Sequence, residues 1–363
     1  MAELRVRLAA NGYPIEIAHG CLDNCGKKIA ALCPAKKYAV IADSTVATLY
    51  APALLASLDK TGLTAHLFLI QPGETQKNLA TIGELAERLA VAGFDRHDAL
   101  IALGGGVAGD ICGFLASIYM RGIPFVQVPT TLLAQVDSSV GGKTGVDIEA
   151  GKNLVGTFHQ PKAVFIDPET LSSLPPEELR SGLAEVLKYG LIRDSAFFDF
   201  LAVKREDIFR LDPTTLIDMI TNCCRIKADV VMADEREGGL RRILNFGHTF
   251  GHAVEAASNY SLSHGFAVSI GMMAATRLSE RRGLLTPAER NKIHTVLTDY
   301  GLPVDIPPQL AQERIRSFLK TDKKAVAGRL VFVLLNGIGQ AEMYDDISEE
   351  EIATLFNQPK HSS

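Results

Sequence analysis

Short, nearly uninterrupted apolar runs alternate with helically spaced ones through the first half of the chain. YAVIAD at 38–43, AHLFLI at 65–70, ALIALG at 99–104 and FVQVP at 125–129 have strand length. Strands this apolar suit a sheet covered on both faces, so the rhythm predicts βαβ units around a parallel sheet. Between two of these runs, residues 78–92 place Leu79, Ile82, Leu85, Ala86 and Leu89 on one helical face.

After about residue 170 the period changes. Segments 177–192, 213–233, 246–258, 265–282 and 287–300 read as long helices, and RLVFVLLNG at 329–337 followed by AEMYDD reads as a small hairpin. Pro168, Pro175 and Pro176 interrupt regular structure in FIDPETLSSLPPEE, and Glu177 and Glu178 suit the first turn of a new helix. The pattern predicts an α/β N-terminal domain with a parallel, Rossmann-like sheet over 1–170. A mainly α-helical C-terminal domain is expected over 171–363, without internal repeats.

A length of 363 residues agrees with two domains, because it exceeds what one hydrophobic core usually serves. Hydrophobic residues at 47% and charged residues at 22% exclude long disordered tracts. The net charge of -5 gives no global attraction to nucleic acid or to an anionic membrane, so an anionic ligand must be held by local cations. The start, MAELRVRLAANGYPIEI, has no apolar leader, and no apolar run approaches the roughly 20 residues needed to cross a bilayer. A cytoplasmic protein is expected. Cys21, Cys25, Cys33, Cys112, Cys223 and Cys224 lack paired zinc-ligand spacing and read as reduced, buried thiols.

Two constellations carry chemistry. ALIALGGGVAGD at 99–110 runs from a strand through Gly104, Gly105 and Gly106 into a helix near Val107, with Gly109 completing GxGxxG. Such a turn lets backbone amides and the helix dipole meet a pyrophosphate, although an ordinary tight βα turn has the same composition. Asp43 ends one strand and suits either a ribose hydroxyl or a helix N-cap, while PGETQK at 72–77 follows another. Three strand ends thus converge, where their loops could share one nucleotide.

The second constellation is NFGHTFGHAVE at 245–255, where His248 and His252 share a helix face. His264 follows in LSHGFAV, and Glu185 lies on a core-facing helix in SGLAEVLKYG. Two histidines and a carboxylate make a familiar catalytic metal set, and spacing alone leaves open which two histidines ligate. Asp137, Lys143, Lys152, Asn153, Lys188, Lys227, Arg241, Asn245 and Lys323 accompany these segments, several in small or apolar surroundings. Buried cations require anions.

With PGETQK, GGGVAGD, RGIPFVQVPTTLLAQVDSSVGGKTGVD, GKNLVGTFHQP, GLAEVLKYG, GLRRILNFGHTFGHAVE and SHGFAVSIGM in order, the chain resembles the 3-dehydroquinate synthases of the sugar phosphate cyclase family over nearly its whole length. The resemblance implies zinc or cobalt on Glu185, His248 and His264, leaving His252 to the substrate. It implies NAD held by Asp43, Pro72, Gly73, Glu74, Lys77, Gly105, Gly106, Val107, Gly109 and Asp110. Thr130, Thr131, Lys143, Lys152, Thr170, Leu171, Ser172 and Ser173 complete that set.

By the same resemblance Lys227 and Arg241 hold a substrate carboxylate, and Asp137, Lys188 and Asn245 its hydroxyls. Lys143, Asn153, His252 and Lys323 surround its phosphate, and Arg121 reaches that phosphate from a neighbouring subunit of a homodimer. The implied reaction converts 3-deoxy-D-arabino-heptulosonate 7-phosphate to 3-dehydroquinate and phosphate in the shikimate route. One departure is Phe266, which stands where many members carry glutamate in HGEAV. A metal-dependent polyol dehydrogenase of glycerol dehydrogenase type is the competing enzyme class, but a neutral polyol leaves Lys143, Lys227, Arg241 and Lys323 nothing to neutralise. A sister cyclase is nearer, yet its sugar phosphates lack a carboxylate for Lys227 and Arg241.

Overall fold

The chain opens with strands β1 (Ala2–Val6) and β2 (Tyr13–Ile17) and helix α1 (Gly26–Leu32), then alternates: β3 (Lys37–Asp43), α2 (Ser44–Asp59), β4 (Thr64–Ile70), α3 (Leu79–Val91), β5 (Ala99–Gly104), α4 (Gly106–Ile118) and β6 (Phe125–Pro129). A hairpin of β7 (Lys143–Ile148) and β8 (Gly151–Phe158) precedes the short β9 (Val164–Ile166). This computed structural model describes residues 1–8, 12–325 and 330–356, without the side chains of 321–325. Among the described residues a seven-stranded sheet runs β1-β2-β9-β6-β5-β3-β4, antiparallel between β1 and β2 and parallel elsewhere.

Apolar cores cover both faces of this sheet. One gathers Ile41, Phe68, Ile82, Leu85 and Ile111, the other Ile29, Val40, Leu54, Ile101 and Val128. Burial on both sides is why the strand runs show no polar alternation. From β3 the chain adds β4 on one side and β5 on the other, so the strand order reverses between β3 and β5. Asp43 and Gly104 end those two strands, at the kind of crevice where open parallel sheets bind ligands.

Helices dominate the rest: α5 (Pro176–Arg193), α6 (Ser195–Phe209), α7 (Pro213–Ala233), α8 (His248–Ala257), α9 (His264–Arg281), α10 (Pro287–Asp299) and α11 (Gln312–Ala325). A hairpin of β10 (Phe332–Leu335) and β11 (Ala341–Tyr344) and helix α12 (Glu349–Thr354) follow. Packing divides the chain into two units, Met1–Leu174 with Leu211–Arg236, and Pro175–Arg210 with the residues from Glu237 onward. Helix α7 packs on β1, β2 and the turns at 134–138 and 168–173 of the first unit, whereas a single boundary after residue 170 counts it with the helical half. Its period fixes a helix with a buried face but carries no information about which partner that face meets.

Glycine lets the helices of the second unit approach closely. A Cβ on Gly271 would stand 1.9 Å from the Gly247 carbonyl oxygen, and one on Gly251 2.9 Å from that of Ala267. This brings α8 against α9. All six cysteines are buried, and burial pushes the Cys25 and Cys33 thiols up to about 12, so they stay protonated. No helix among the described residues is long and apolar enough to cross a membrane.

Candidate active site

Glu185 sits in the middle of α5 with no solvent exposure, while His248 and His264 are the first residues of α8 and α9. The Nε2 atoms of both histidines lie 3.5 Å from Glu185 Oε1. That is too long for a charged hydrogen bond, but a tetrahedral ion with bonds of about 2.1 Å would separate its ligand atoms by about 3.4 Å. His248 Nδ1 donates to the Phe246 carbonyl at 3.2 Å, and His264 Nδ1 faces Glu255 Oε2 at 3.3 Å, which leaves Nε2 of each ring as the nitrogen that could ligate an ion.

The electrostatics favour a dication. Burial pushes the His248 ring down to about 3, with Lys188 and the other two imidazoles opposing its charge and Glu185 favouring it. For His264 burial also disfavours charge, but the carboxylates of Glu185 and Glu255 beside it outweigh that and lift the ring to about 9. Two carboxylates flanking one ring attract any cation placed between them. A second donor group, His252, Glu255 and His264, includes the exposed His252. The trio around buried Glu185, with its matched 3.5 Å separations, fits an ion better.

The other predicted residues of the second unit surround this trio in sequence and packing. Lys188, one turn beyond Glu185, is buried with its Nζ on Glu185 Oε2 and over the Tyr189 ring. The His252 ring centroid lies 5.2 Å from that of His248 and 5.9 Å from that of His264. Arg241, only 2% exposed, and Asn245 lie on the 3₁₀ stretch Leu240–Asn245, where Asn245 Nδ2 donates to Glu237 Oε1. Lys323 falls on α11 among the side chains outside the described residues.

In the first unit the glycine turn forms as a close approach. Gly104 has φ of +154°, and a Cβ there would meet Ala108 Cβ at 2.8 Å; one on Gly105 would meet Thr131 Cγ2 at 3.0 Å, and one on Gly106 Ser138 Oγ at 3.2 Å. No side chain caps α4 at Gly105, which leaves the first-turn amides, Val107 among them, to an anion. This cradle fits the pyrophosphate of a dinucleotide. Gly109 instead turns to Gln127 of β6, where a Cβ would stand 2.9 Å from Oε1, so it packs helix on sheet.

The strand-end loops join the same turn. Thr130 donates its amide to the Gly104 carbonyl, and its own carbonyl accepts from Thr170 Oγ1. Tyr50 donates to the Thr170 carbonyl and also meets Ser173 Oγ; Leu171 and Ser172 lie in the same 3₁₀ segment. Asp43 is the N-cap of α2, its Oδ1 accepting from the amides of Thr45 and Val46. Beyond Pro72 and Gly73, buried Lys77 pairs with Asp110 at 2.6 Å and approaches Glu74, which Lys152 meets at 3.8 Å. Burial disfavours the Lys77 charge, but Asp110 and Glu74 hold its ammonium above the ordinary value.

Asp137 and Lys227 also come together. A π-helical turn over Ala134–Ser138 lets Lys227 Nζ reach both the carbonyl and Oδ1 of Asp137 at 2.7 Å. Exposed Lys143 opens β7, and Asn153 has φ of +56° on β8, its amide donating to Asp147 Oδ1. Arg121 stands apart: it is exposed, has φ of +65°, and lies past the end of α4 remote from the glycine turn.

Glu255 and Ser138 are the neighbours that sequence reading passed over. Glu255 had a signal, since it lies seven residues after His248 and three after His252 on one helix face. Ser138 had none, because the π-helical turn that aims it at Gly106 has no sequence period.

The family model described as 3-dehydroquinate synthase N-terminal matches residues 67–181, and the C-terminal model matches 182–325. A 3-dehydroquinate synthase of Desulforamulus reducens is 44% identical over 99% of this chain and all of its own length; one of Thermodesulfovibrio yellowstonii is 45% identical over the same shares. Among solved structures, 2-epi-5-epi-valiolone synthase from Streptomyces hygroscopicus subsp. jinggangensis, with NAD+ and Zn2+ bound, aligns with a TM-score of 0.88 at 33% identity over 97% of each chain. A 2-deoxy-scyllo-inosose synthase complexed with carbaglucose-6-phosphate, NAD+ and Co2+ gives 0.87 at 28% identity, covering 98% of this chain and 99% of its own. A probable glycerol dehydrogenase from Sinorhizobium meliloti, at 16% identity and a TM-score of 0.57, covers 84% of this chain and 88% of its own and shares the fold alone.

Proposed function

The chain belongs to the 3-dehydroquinate synthase family, and on that premise we propose that it converts 3-deoxy-D-arabino-heptulosonate 7-phosphate to 3-dehydroquinate and phosphate as a carbon–oxygen lyase of the shikimate route. The observation that carries this reading is the buried Glu185 carboxylate, which gathers the Nε2 atoms of His248 and His264 within reach of one ion. Zinc or cobalt is held there, and NAD on the glycine turn of the first unit. When bound, the ion would supply Lewis acidity at a substrate hydroxyl, and NAD would supply a reversible hydride acceptor.

The chain's own residues do the positioning. In the first unit Asp137 orients substrate hydroxyls, Lys227 meets the carboxylate, and Lys143 and Asn153 hold the phosphate. In the second unit Lys188 and Asn245 hold hydroxyls, Arg241 meets the carboxylate, and His252 and Lys323 bind phosphate. This excess of cations suits a doubly anionic substrate and is wasted on a neutral polyol. Once the neighbouring carbon is a ketone, the adjacent C–H is acidic. Its proton passes to an oxygen of the substrate's own phosphate, the C–O bond breaks, and phosphate departs with that proton, so no protein base is needed. Once the ring has opened, these residues would hold the substrate in place for the intramolecular aldol addition that closes the carbocycle.

Arg121 acts on the phosphate held by the neighbouring protomer of a homodimer. Its position beyond the far end of α4, a helix about 20 Å long, supports action away from its own glycine turn. The test is phosphate release from the heptulosonate phosphate with catalytic NAD, no net NADH, and arrest by a chelator. NADH formed in step with product would point to the dehydrogenase class. Faster turnover of a sugar phosphate lacking the carboxylate would point to a sister cyclase.

A further inference from the structure

We infer that Glu255 is a positioning residue for the ion site: its carboxylate holds His264 in the ring orientation and tautomer that ligation requires, and so sets how tightly the second unit binds its metal. This rests on the metal reading of Glu185, His248 and His264 given above. Glu255 lies near the end of α8 with its side chain 8% exposed, and its Oε2 stands 3.3 Å from His264 Nδ1. A carboxylate can only accept there, so Nδ1 carries a proton and Nε2, 3.5 Å from Glu185 Oε1, is the nitrogen left for an ion.

The surrounding backbone appoints Glu255 to this position. The link from α8 to α9 is short and passes through two residues in the left-handed region, Asn259 at φ of +54° and Tyr260 at +59°. It is anchored on Glu255 itself, whose carbonyl accepts from the Tyr260 amide at 3.0 Å and from Ser258 Oγ at 2.7 Å. The Ser258 hydroxyl oxygen in turn accepts the Leu262 amide, two residues before His264. At the other end of the link, the Gly265 amide donates to Ser181 Oγ on α5, the helix that carries Glu185. One residue thus fixes the course of the link through its backbone and the imidazole at its end through its side chain.

His264 is the ligand that most needs such a hold. His248 is oriented by a backbone carbonyl two residues away in its own turn, whereas His264 is 32% exposed and begins a separate helix. Without the Glu255 contact its ring can rotate or shift its proton to Nε2, and either change removes a ligand. Carboxylates in this outer position typically contribute 10- to 100-fold to metal affinity.

The test uses full-length protein stripped by a chelator and titrated with Co2+, read by its visible ligand-field absorption, and with Zn2+ against a chromophoric competitor. Glu255→Gln, which keeps size but loses charge, should weaken both ions by about 10- to 100-fold and alter the cobalt spectrum. Glu255→Asp should recover part of the affinity. Glu342→Gln, which removes one acidic charge from exposed β11, should bind as the parent does. NAD affinity should stay unchanged in Glu255→Gln, and apo stability should fall by less than metal affinity does. Equal affinity and spectrum in parent and Glu255→Gln would overturn the inference and leave the metal reading standing. Metal loss accompanied by equal loss of apo stability and NAD binding would also overturn it, marking an architectural role. Failure of the parent to bind cobalt would sink the metal reading itself.

Discussion

At the scale of single residues, Glu185 concentrates the most risk. A carboxylate with no exposure persists because Lys188 and two imidazole nitrogens face it. Glu185→Gln removes an ion ligand and leaves the Lys188 ammonium buried without its anion. Zinc affinity should fall more than 100-fold, roughly beyond the range seen for outer contacts, and stability by about 3–5 kcal/mol. Competitive zinc titration and thermal melting of the apo protein check the two effects separately. In the first unit Gly104→Ala combines a left-handed backbone with a Cβ 2.8 Å from Ala108 Cβ. We expect a cost of about 1–3 kcal/mol and weaker NAD binding by fluorescence titration, with metal affinity unchanged.

At the scale of elements, the approach of α8 and α9 aligns two of the ion's ligands. Gly271→Ala would drive a methyl group to 1.9 Å from the Gly247 carbonyl oxygen, in the residue before His248. The helices must part, and both melting temperature and cobalt affinity should drop together, unlike the selective loss expected at Glu255. Elements with a strong period were legible in the sequence. The runs at 99–104 and 125–129 are strands with those bounds, and 213–233 is a helix over that whole span. The β7–β8 hairpin was not legible, because Leu154 and Phe158 on β8 are 61% and 48% exposed and no apolar face alternates with a polar one. The site shows the same contrast. Motif spacing placed His248 and His252 on one face, but that Asp43 caps α2 needed the hydrogen bonds of Thr45 and Val46.

At the scale of the whole molecule, acid should attack the second unit where α12 is tied to the end of α9. Arg282 bonds Glu351 through Nε and Nη2 and Asp346 through Nη1. The hydrogen bond from Arg282 holds the Glu351 carboxyl down to about 2 from its ordinary 4.5. A depressed carboxyl contributes fully above about pH 4.5, and the contribution drains away as pH falls towards 2. Glu351→Gln should therefore cost on the order of 1–2 kcal/mol at neutral pH, allowing for its partial exposure to solvent. Parent and variant should converge in acid, as urea unfolding at several pH values would show.

The first unit is written in two stretches of sequence, Met1–Leu174 and Leu211–Arg236. Chimeras between relatives should obey that grammar. A crossover at 174/175 alone would join the sheet of one parent to α7 of the other and separate Asp137 from the lysine it pairs with, Lys227. Exchanging 1–174 together with 211–236 keeps each parent's packing of α7 on the sheet whole, and such double-crossover hybrids should express as soluble protein where single-crossover hybrids aggregate.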